Sequence, residues 1–351
     1  MTKPSNPDRR EALKKIVVGG AALATGATLI SHEENILVAQ LQLTPDARIR
    51  QLNEGGRVLG IEDIEVDALS GASRLHTDWT KFADLRRPMR RKTIKGLDIS
   101  QVFMGGNLVG GWAHARDLLY VSTLVIAYHT RDKIIATLKL GEACGINTYL
   151  GHHSQIGIME DYWNNEDGAM RYIADCSSLE GAIDCLERGA SAVYMQGELC
   201  DRMAREERFD EIANFIDRLR RESAVVGLGA HRLETVKACT AQGFEPDFWM
   251  KTIHSDNYWS RKAGMLEHNN VWDRDPQGTI EFMNDLPMPW IGFKVLAAGA
   301  LRPRDGFRFA FEAGADFICV GMYDFQVVDN VNTCMDVLDM DLNRRRPWRF
   351  T

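Results

Sequence analysis

The sequence predicts a single (β/α)8 barrel, the TIM-barrel fold, behind an irregular N-terminal lead. Eight short apolar runs alternate along the chain with amphipathic helical stretches, the order that builds parallel βαβ units. Three of the helical stretches also end alike, in GEACGIN, LERGASA and FEAGADF. Each places a glycine where a helix C-cap needs a left-handed residue and starts a strand at once. Eight such units close into a barrel. No GxGxxG follows the first strand, which counts against a doubly wound nucleotide-binding sheet.

Taken in order, the chain opens with DRREALKK (8–15) and the apolar run IVVGGAALATGATLI (16–30). The pair Arg9 and Arg10, with Leu13 and Lys14 behind them, resembles a twin-arginine export signal. That resemblance implies the twin-arginine machinery as a partner and a periplasmic or exported location, with membrane anchoring if the signal stays on. Val38–Ala39 is the candidate cleavage point. The apolar run is too short for an ordinary membrane span. This reading divides the chain into a signal and linker (1–39), an irregular lead (40–97), the barrel (98–340) and a basic C-terminal tail (341–351).

Composition narrows the function. Hydrophobic residues make up 45% and charged residues 26%, with a formal net charge of -7, ordinary for a soluble globular protein. A nucleic-acid partner calls for a basic face and is not expected. The tail arginines Arg344, Arg345, Arg346 and Arg349 read as solvated. The seven cysteines form no CxxC pair and no zinc-like spacing, so they read as buried thiols.

The barrel strands are expected at QVFMGGN (101–107), NTYLGH (147–152), RYIADC (171–176), SAVYMQGE (191–198), AVVGLGAH (224–231), FWMKTIH (248–254), WIGFKVLAAG (290–299) and FICVGMYD (317–324). Helices are expected at 130–145, 178–190, 209–222, 233–244 and 304–315. WNNED (163–167) reads as a solvent loop.

Strand side chains alternate between barrel interior and helix layer. With Val193 and Met195 outward, Tyr194, Gln196 and Glu198 face in; with Val226, Leu228 and Ala230 outward, Gly227, Gly229 and His231 face in. The same rule puts Trp249 and Lys251 inside strand six, and Lys294 inside strand seven with Phe293 outward. The two strand-five glycines then leave room beside the lysines. The C-terminal strand ends thereby gather Asn107, His152 or His153, Asp175, Glu198, His231, Lys251, His254 and Lys294, at the end where barrel enzymes build their sites. Trp112, His114 and Arg116 follow strand one, Arg232 follows His231, and Tyr258, Trp259 and Trp272 lie in the long segment after strand six. Asn107, Trp112, Arg232, Tyr258 and Trp259 are the candidate substrate contacts.

Three chemistries suit the cluster. His152, Glu198, His231 and His254 offer imidazole and carboxylate ligands for a divalent transition metal, Zn²⁺, Mn²⁺ or Fe²⁺. The metal would polarise a carbonyl while Lys251, Lys294 or Asp175 moves a proton at the adjacent carbon. That is a lyase, hydratase or epimerase reaction on a small, sugar-like substrate. Secondly, MKTIHS and GFKVLAAGALRPRDGFRFAFEAGADFICVG resemble strands six and seven of class I aldolases of the deoxyribose-phosphate type. The resemblance implies an imine at Lys251, activated by Lys294. Thirdly, GLDISQVFMGGNLVGGWAHARD (96–117) and GEACGIN (141–147) resemble the opening of the aldo/keto reductase superfamily. In GINTYLGHHS, Leu150 and Gly151 stand where that superfamily has its catalytic segment, so the resemblance implies the fold and not NADP-dependent reduction. A barrel that binds without catalysis is the bland alternative. More broadly, GGNLVGGWAHARD, GAHRLETVKA, DFWMKTIH and GADFICVGMYDFQ resemble a group of exported, aldo/keto reductase-like barrels across residues 95–335.

Overall fold

The structure is a computed structural model that describes residues 80–113, 118, 120–258, 261 and 272–350. The twin-arginine stretch, the lead up to residue 79, His114, Arg116 and Trp259 lie outside the described residues.

A two-stranded antiparallel hairpin comes first, β1 (Arg91–Ile94) and β2 (Leu97–Ser100). Lys95 and Gly96 between them both take positive φ, 48° and 77°, as a two-residue hairpin turn demands. Residues 91–97, expected to belong to the irregular lead, are thus already part of this hairpin. Ile94 and Ile99 pack with Phe103, Phe248, Ile291 and Phe317 in the barrel interior. The hairpin thus stoppers the N-terminal end of the barrel with branched side chains.

Eight parallel strands then close on themselves in the order β10-β3-β4-β5-β6-β7-β8-β9. They are β3 (Val102–Gly105), β4 (Thr148–His152), β5 (Arg171–Cys176), β6 (Ala192–Met195), β7 (Val226–Ala230), β8 (Phe248–Thr252), β9 (Trp290–Phe293) and β10 (Phe317–Val320). Around them run α1 (Val121–Tyr128), α2 (Arg131–Ala143), α3 (Ile156–Asn165), α4 (Leu179–Glu187), α5 (Gly197–Arg205), α6 (Phe209–Arg221), α7 (Leu233–Ala241), α8 (Pro276–Asp285), α9 (Pro303–Glu312) and α10 (Asp324–Leu338). The three glycine caps behave as expected: Gly145, Gly189 and Gly314 have φ of 90°, 105° and 108°. WNNED is not a loop at its start, since Trp163 closes α3 and its Nε1 donates to the Met170 carbonyl at 2.8 Å.

Strands four and seven are shorter than expected. The backbone after Met195 turns into α5, so Glu198 sits in the first turn of a helix. After Phe293 the chain enters a run of left-handed residues, with φ of 59° at Lys294, 46° at Ala297 and 55° at Ala298.

The interior is filled by Phe103, Leu150, Ile173, Tyr194, Phe248, Met250, Ile291 and Phe317. The helix layer packs on Val193, Met195, Val226, Leu228, Trp249 and Trp290. Strand four and strand five therefore face as expected, and strand six does not. Phe248 and Met250 point in, which turns Trp249 and Lys251 out. Both faces of this strand are apolar apart from its lysine, so alternation could not choose between registers. Nor is there room by the strand-five glycines. A Cβ on Gly227 would meet the Phe248 ring at 2.4 Å, and one on Gly229 the Gly197 nitrogen at 2.7 Å.

The basic tail is a second correction. Arg346 is only 4% exposed. Arg344 and Arg346 each reach Asp316 at 3.1 Å, one to each carboxylate oxygen. Arg344 also donates to the Phe311 and Ala315 carbonyls, and Arg346 to those of Met283, Leu286 and Met288. These carbonyls cluster where α8 and α9 end, which is where cations are favoured. Arg344 and Arg346 are therefore structural rather than solvated, while Arg345 is exposed as expected.

Candidate active site

A cavity of about 1550 Å³ opens at the C-terminal ends of the strands. Of the residues expected there, Asn107, Trp112, His152, Asp175, Glu198, His231, Arg232 and Lys294 line it. Lys251, His254 and Tyr258 do not.

Strand one delivers its loop through paired glycines. Gly106 donates to the Leu150 carbonyl at 2.7 Å, and Gln155 pins the Gly106 carbonyl at 2.9 Å. A Cβ on Gly106 would lie 2.4 Å from Gln155 Oε1, so only glycine fits the turn. Asn107 accepts from the Trp112 amide, and the Trp112 ring stands edge-on to His152 at 5.2 Å. His152 Nδ1 lies 2.8 Å from Ser154 Oγ and accepts from the Ser154 amide. Burial, with His153 beside it, holds His152 down at about 4, so its ring is neutral.

Asp175 ends strand three on the interior face. Burial raises its carboxyl to about 7, against the pull of Gln196, Tyr194 and the Lys294 cation. Its Oδ1 is buried with no hydrogen-bond partner among the described residues. Lys294 enters by a different route from the one expected. Phe293, not Lys294, follows the inward face of strand seven. The left-handed backbone at Lys294 then swings its side chain into the cavity. Its Nζ lies 3.8 Å from the centre of the Trp272 ring, within cation–π range. Burial lowers this ammonium to about 7, with Asp175 and Glu198 working the other way.

His231 is held by a carboxylate the sequence reading missed. Asp201 Oδ2 accepts from the His231 amide and faces Nδ1, both at 3.0 Å, while Thr235 Oγ1 donates to Oδ1 at 2.6 Å. Burial works to raise Asp201, but the hydrogen bonds from His231 and Thr235 outweigh it and hold the carboxyl below its ordinary value. With Nδ1 engaged, Nε2 is the His231 nitrogen left for a substrate. Asp201 lies three residues beyond Glu198 on α5, one helical turn that an extended strand four concealed.

His254 is a staple rather than a ligand. Its Nδ1 donates to the Ser255 carbonyl at 2.9 Å, and its Nε2 accepts from the Trp272 and Asp273 amides, both at 3.0 Å. Burial keeps the ring at about 4, hence neutral. Lys251 is fully buried and donates to the His231 and Thr252 carbonyls at 3.0 and 2.7 Å. Burial pulls its ammonium down, while Asp273, Asp201 and Glu234 pull it up. Replacing His254 with phenylalanine keeps the ring but removes both contacts to 272–273. It is expected to cost about 2–3 kcal/mol, as two buried donors lose their acceptor; an unchanged urea midpoint would refute the staple.

The proposed metal ligands fail the test of geometry. Both His254 nitrogens are committed, and among the described residues no three His, Cys, Asp or Glu side chains converge on one point. The described residues do not assemble a site for a transition metal.

No protein-family model matches the sequence, and no curated protein matches it. Among solved structures, a candidate aldo-keto reductase from Pseudomonas aeruginosa superposes with a TM-score of 0.52 at 16% identity, over 73% of this chain and 99% of that one. A 7,8-dihydropteroate synthase from Vibrio fischeri gives 0.42 at 13%, covering 72% of this chain and 99% of its own. A candidate deoxyribose-phosphate aldolase from Coccidioides immitis gives 0.40 at 11%, over 83% and 98%. The first similarity shows a shared barrel fold, and the looser two carry no argument.

Proposed function

We propose that this barrel is a lyase or isomerase that moves a proton at the carbon next to a carbonyl of a small substrate. One observation carries the reading. A lysine and a carboxyl group from different strands line one cavity, both desolvated, and both are brought to about 7 from opposite directions. Displaced titrations in a cleft mark acid–base sites.

The division of labour follows from charge. Neutral Lys294 takes the proton from the α-carbon; the C–H electron pair forms the C=C bond, and the carbonyl π electrons move to oxygen. Protonated Asp175 delivers a proton to that oxygen, giving the neutral enol. The enol then returns its O–H proton to Asp175 as the C=O bond re-forms, and the electron pair either expels a β-substituent or takes a proton back on carbon, the Lys294 ammonium supplying the proton in each case. His231, its Nδ1 held by Asp201, presents Nε2 to the substrate as a hydrogen-bond acceptor.

Activity therefore needs Lys294 deprotonated and Asp175 protonated. The pH profile of kcat/KM is expected to be a bell centred near 7, rising as Lys294 loses its proton and falling as Asp175 loses its own. In Asp175→Asn the anion that holds the Lys294 proton is gone, so the acid limb should move to lower pH. An acid limb that stays put in this variant rules out the pairing.

The half-neutral amine also suits a nucleophile, which moves the Schiff-base reading from Lys251 to Lys294. Sodium borohydride with a carbonyl substrate separates the two chemistries. Covalent trapping at Lys294 supports the imine, and turnover without trapping supports simple proton transfer.

The twin-arginine pattern supports placing this chemistry outside the cytoplasm. Replacing Arg9 and Arg10 with lysine should then leave the full chain in the cytoplasmic fraction; unchanged export of the double variant would end that assignment.

A further inference from the structure

The cavity wall is divided by charge. Among the described residues, every carboxylate, guanidinium and imidazole that lines it follows strands two to six: His152, Asp175, Glu198, Asp201, Arg202, Arg205, His231, Arg232, Glu234, Asp273, Arg274 and Asp275. The opposite sector follows strands seven, eight and one, adjacent across the closed sheet. Beyond Lys294 at its boundary, the described residues lining that sector are uncharged, among them Leu108, Trp112, Leu118, Val121, Leu296 and Tyr323.

That apolar sector does not stop at the cavity edge. Trp112 and Leu118 are 47% and 46% exposed, and Tyr120, Leu124 and Ile126 continue from them at 60%, 57% and 61%. No charged residue occurs from 118 to 130. Large apolar groups exposed together beside a cavity mark a surface that meets a ligand.

We infer that the substrate is amphiphilic. Its ionic end lies against the charged wall over strands four to six, and its carbonyl stands between Lys294 and Asp175. An apolar chain or ring leaves along Trp112, Leu118 and Val121 toward Leu124. This rests on the acid–base reading of Lys294 and Asp175, to which it adds the substrate class. The segregation supplies the orientation: a chain turned the other way would lay its methylenes over hydrated charges and strip their water. It differs from the sugar-like substrate expected from the sequence in setting an apolar chain along this sector.

Straight-chain 2-oxo carboxylates from pyruvate to 2-oxooctanoate test it by calorimetry on the full chain. The dissociation constant is expected to fall about threefold per added methylene, close to the transfer free energy of a CH₂ group. Leu118→Glu and Leu124→Glu should flatten that series, so that affinity no longer rises with chain length. Leu124 is on the exposed face, so its variant serves if Leu118→Glu does not fold.

Absence of binding, affinity independent of chain length, or a dependence that survives both variants would overturn the inference. So would self-association, measured by sedimentation, that Leu124→Glu abolishes while the series stays steep, because the patch then belongs to a second copy. The underlying reading fails separately. If the Lys294 amine titrates at an ordinary lysine value by NMR while the series remains steep, the acid–base assignment falls and the amphiphilic site stands.

Discussion

Replacing Lys294 with methionine is expected to lower kcat/KM by about a thousandfold without loss of fold, the usual scale for a removed general base. Methionine matches the length of the stem and can rest on the Trp272 ring that lies 3.8 Å beneath the ammonium. The stability of the same variant gives an independent reading. The ammonium of Lys294 is lowered in the fold from 10.5 to about 7. A group so displaced contributes stability that is complete above its unfolded value and is lost as pH falls through its folded one. The methionine variant should therefore match or exceed the wild type in Tm at pH 7 and below, with the difference narrowing toward pH 10.5. An inactive variant that is also less stable at pH 7 would mean that Lys294 is a structural residue and would remove the base from the proposal.

Asp316→Ala should be the most destabilising of the single changes considered, at about 3–5 kcal/mol. The magnitude comes from what is left behind. Asp316 is fully buried and takes a guanidinium on each oxygen, with the Trp290 and Arg349 amides as further donors. Burial lowers Arg344 to about 10 even with the carboxylate present. Without it, two guanidinium groups face one another among backbone carbonyls. Adding Arg344→Met and Arg346→Met to Asp316→Ala should recover a large part of the loss, since the three charges act as one unit. Urea unfolding of the single and triple variants measures both; equal losses in the two would place the cost elsewhere.

The barrel was legible because its signals are local. Each glycine cap is set by one residue's backbone freedom, and Gly145, Gly189 and Gly314 all adopted the conformation their positions required. The inward faces of strands four and five were legible for a similar reason: their polar and glycine positions break the apolar pattern on one side only. Strand six offered no such asymmetry. FWMKT carries large apolar residues on both faces, so alternation does not choose between the two registers, and the one expected is the wrong one. Burying that ammonium in the helix layer is tolerable only because the His231 and Thr252 carbonyls receive it, and no sequence pattern announces backbone acceptors.

The site itself divides along the same line. Asp175 and Glu198 reach the cavity as their positions near strand ends imply. Lys294 reaches it despite standing one residue out of phase, because the chain turns left-handed there. Asp201 was missed since its role depends on where strand four gives way to α5, a boundary that alternation does not mark. Arg344 and Arg346 were misread for want of Asp316, which precedes them by about thirty positions and meets them only in the folded chain.

The hairpin at the far end of the barrel has a kinetic corollary. With Ile94 and Ile99 seated against Phe103, Phe248 and Phe317, the described residues close the interior at the strand N-termini and leave a doorway at the strand C-termini. Whatever enters must leave by the same threshold, so a departing molecule and an arriving one contend for one passage. Such a blind chamber makes traffic strictly one at a time, and the spent molecule competes head-on with the fresh one.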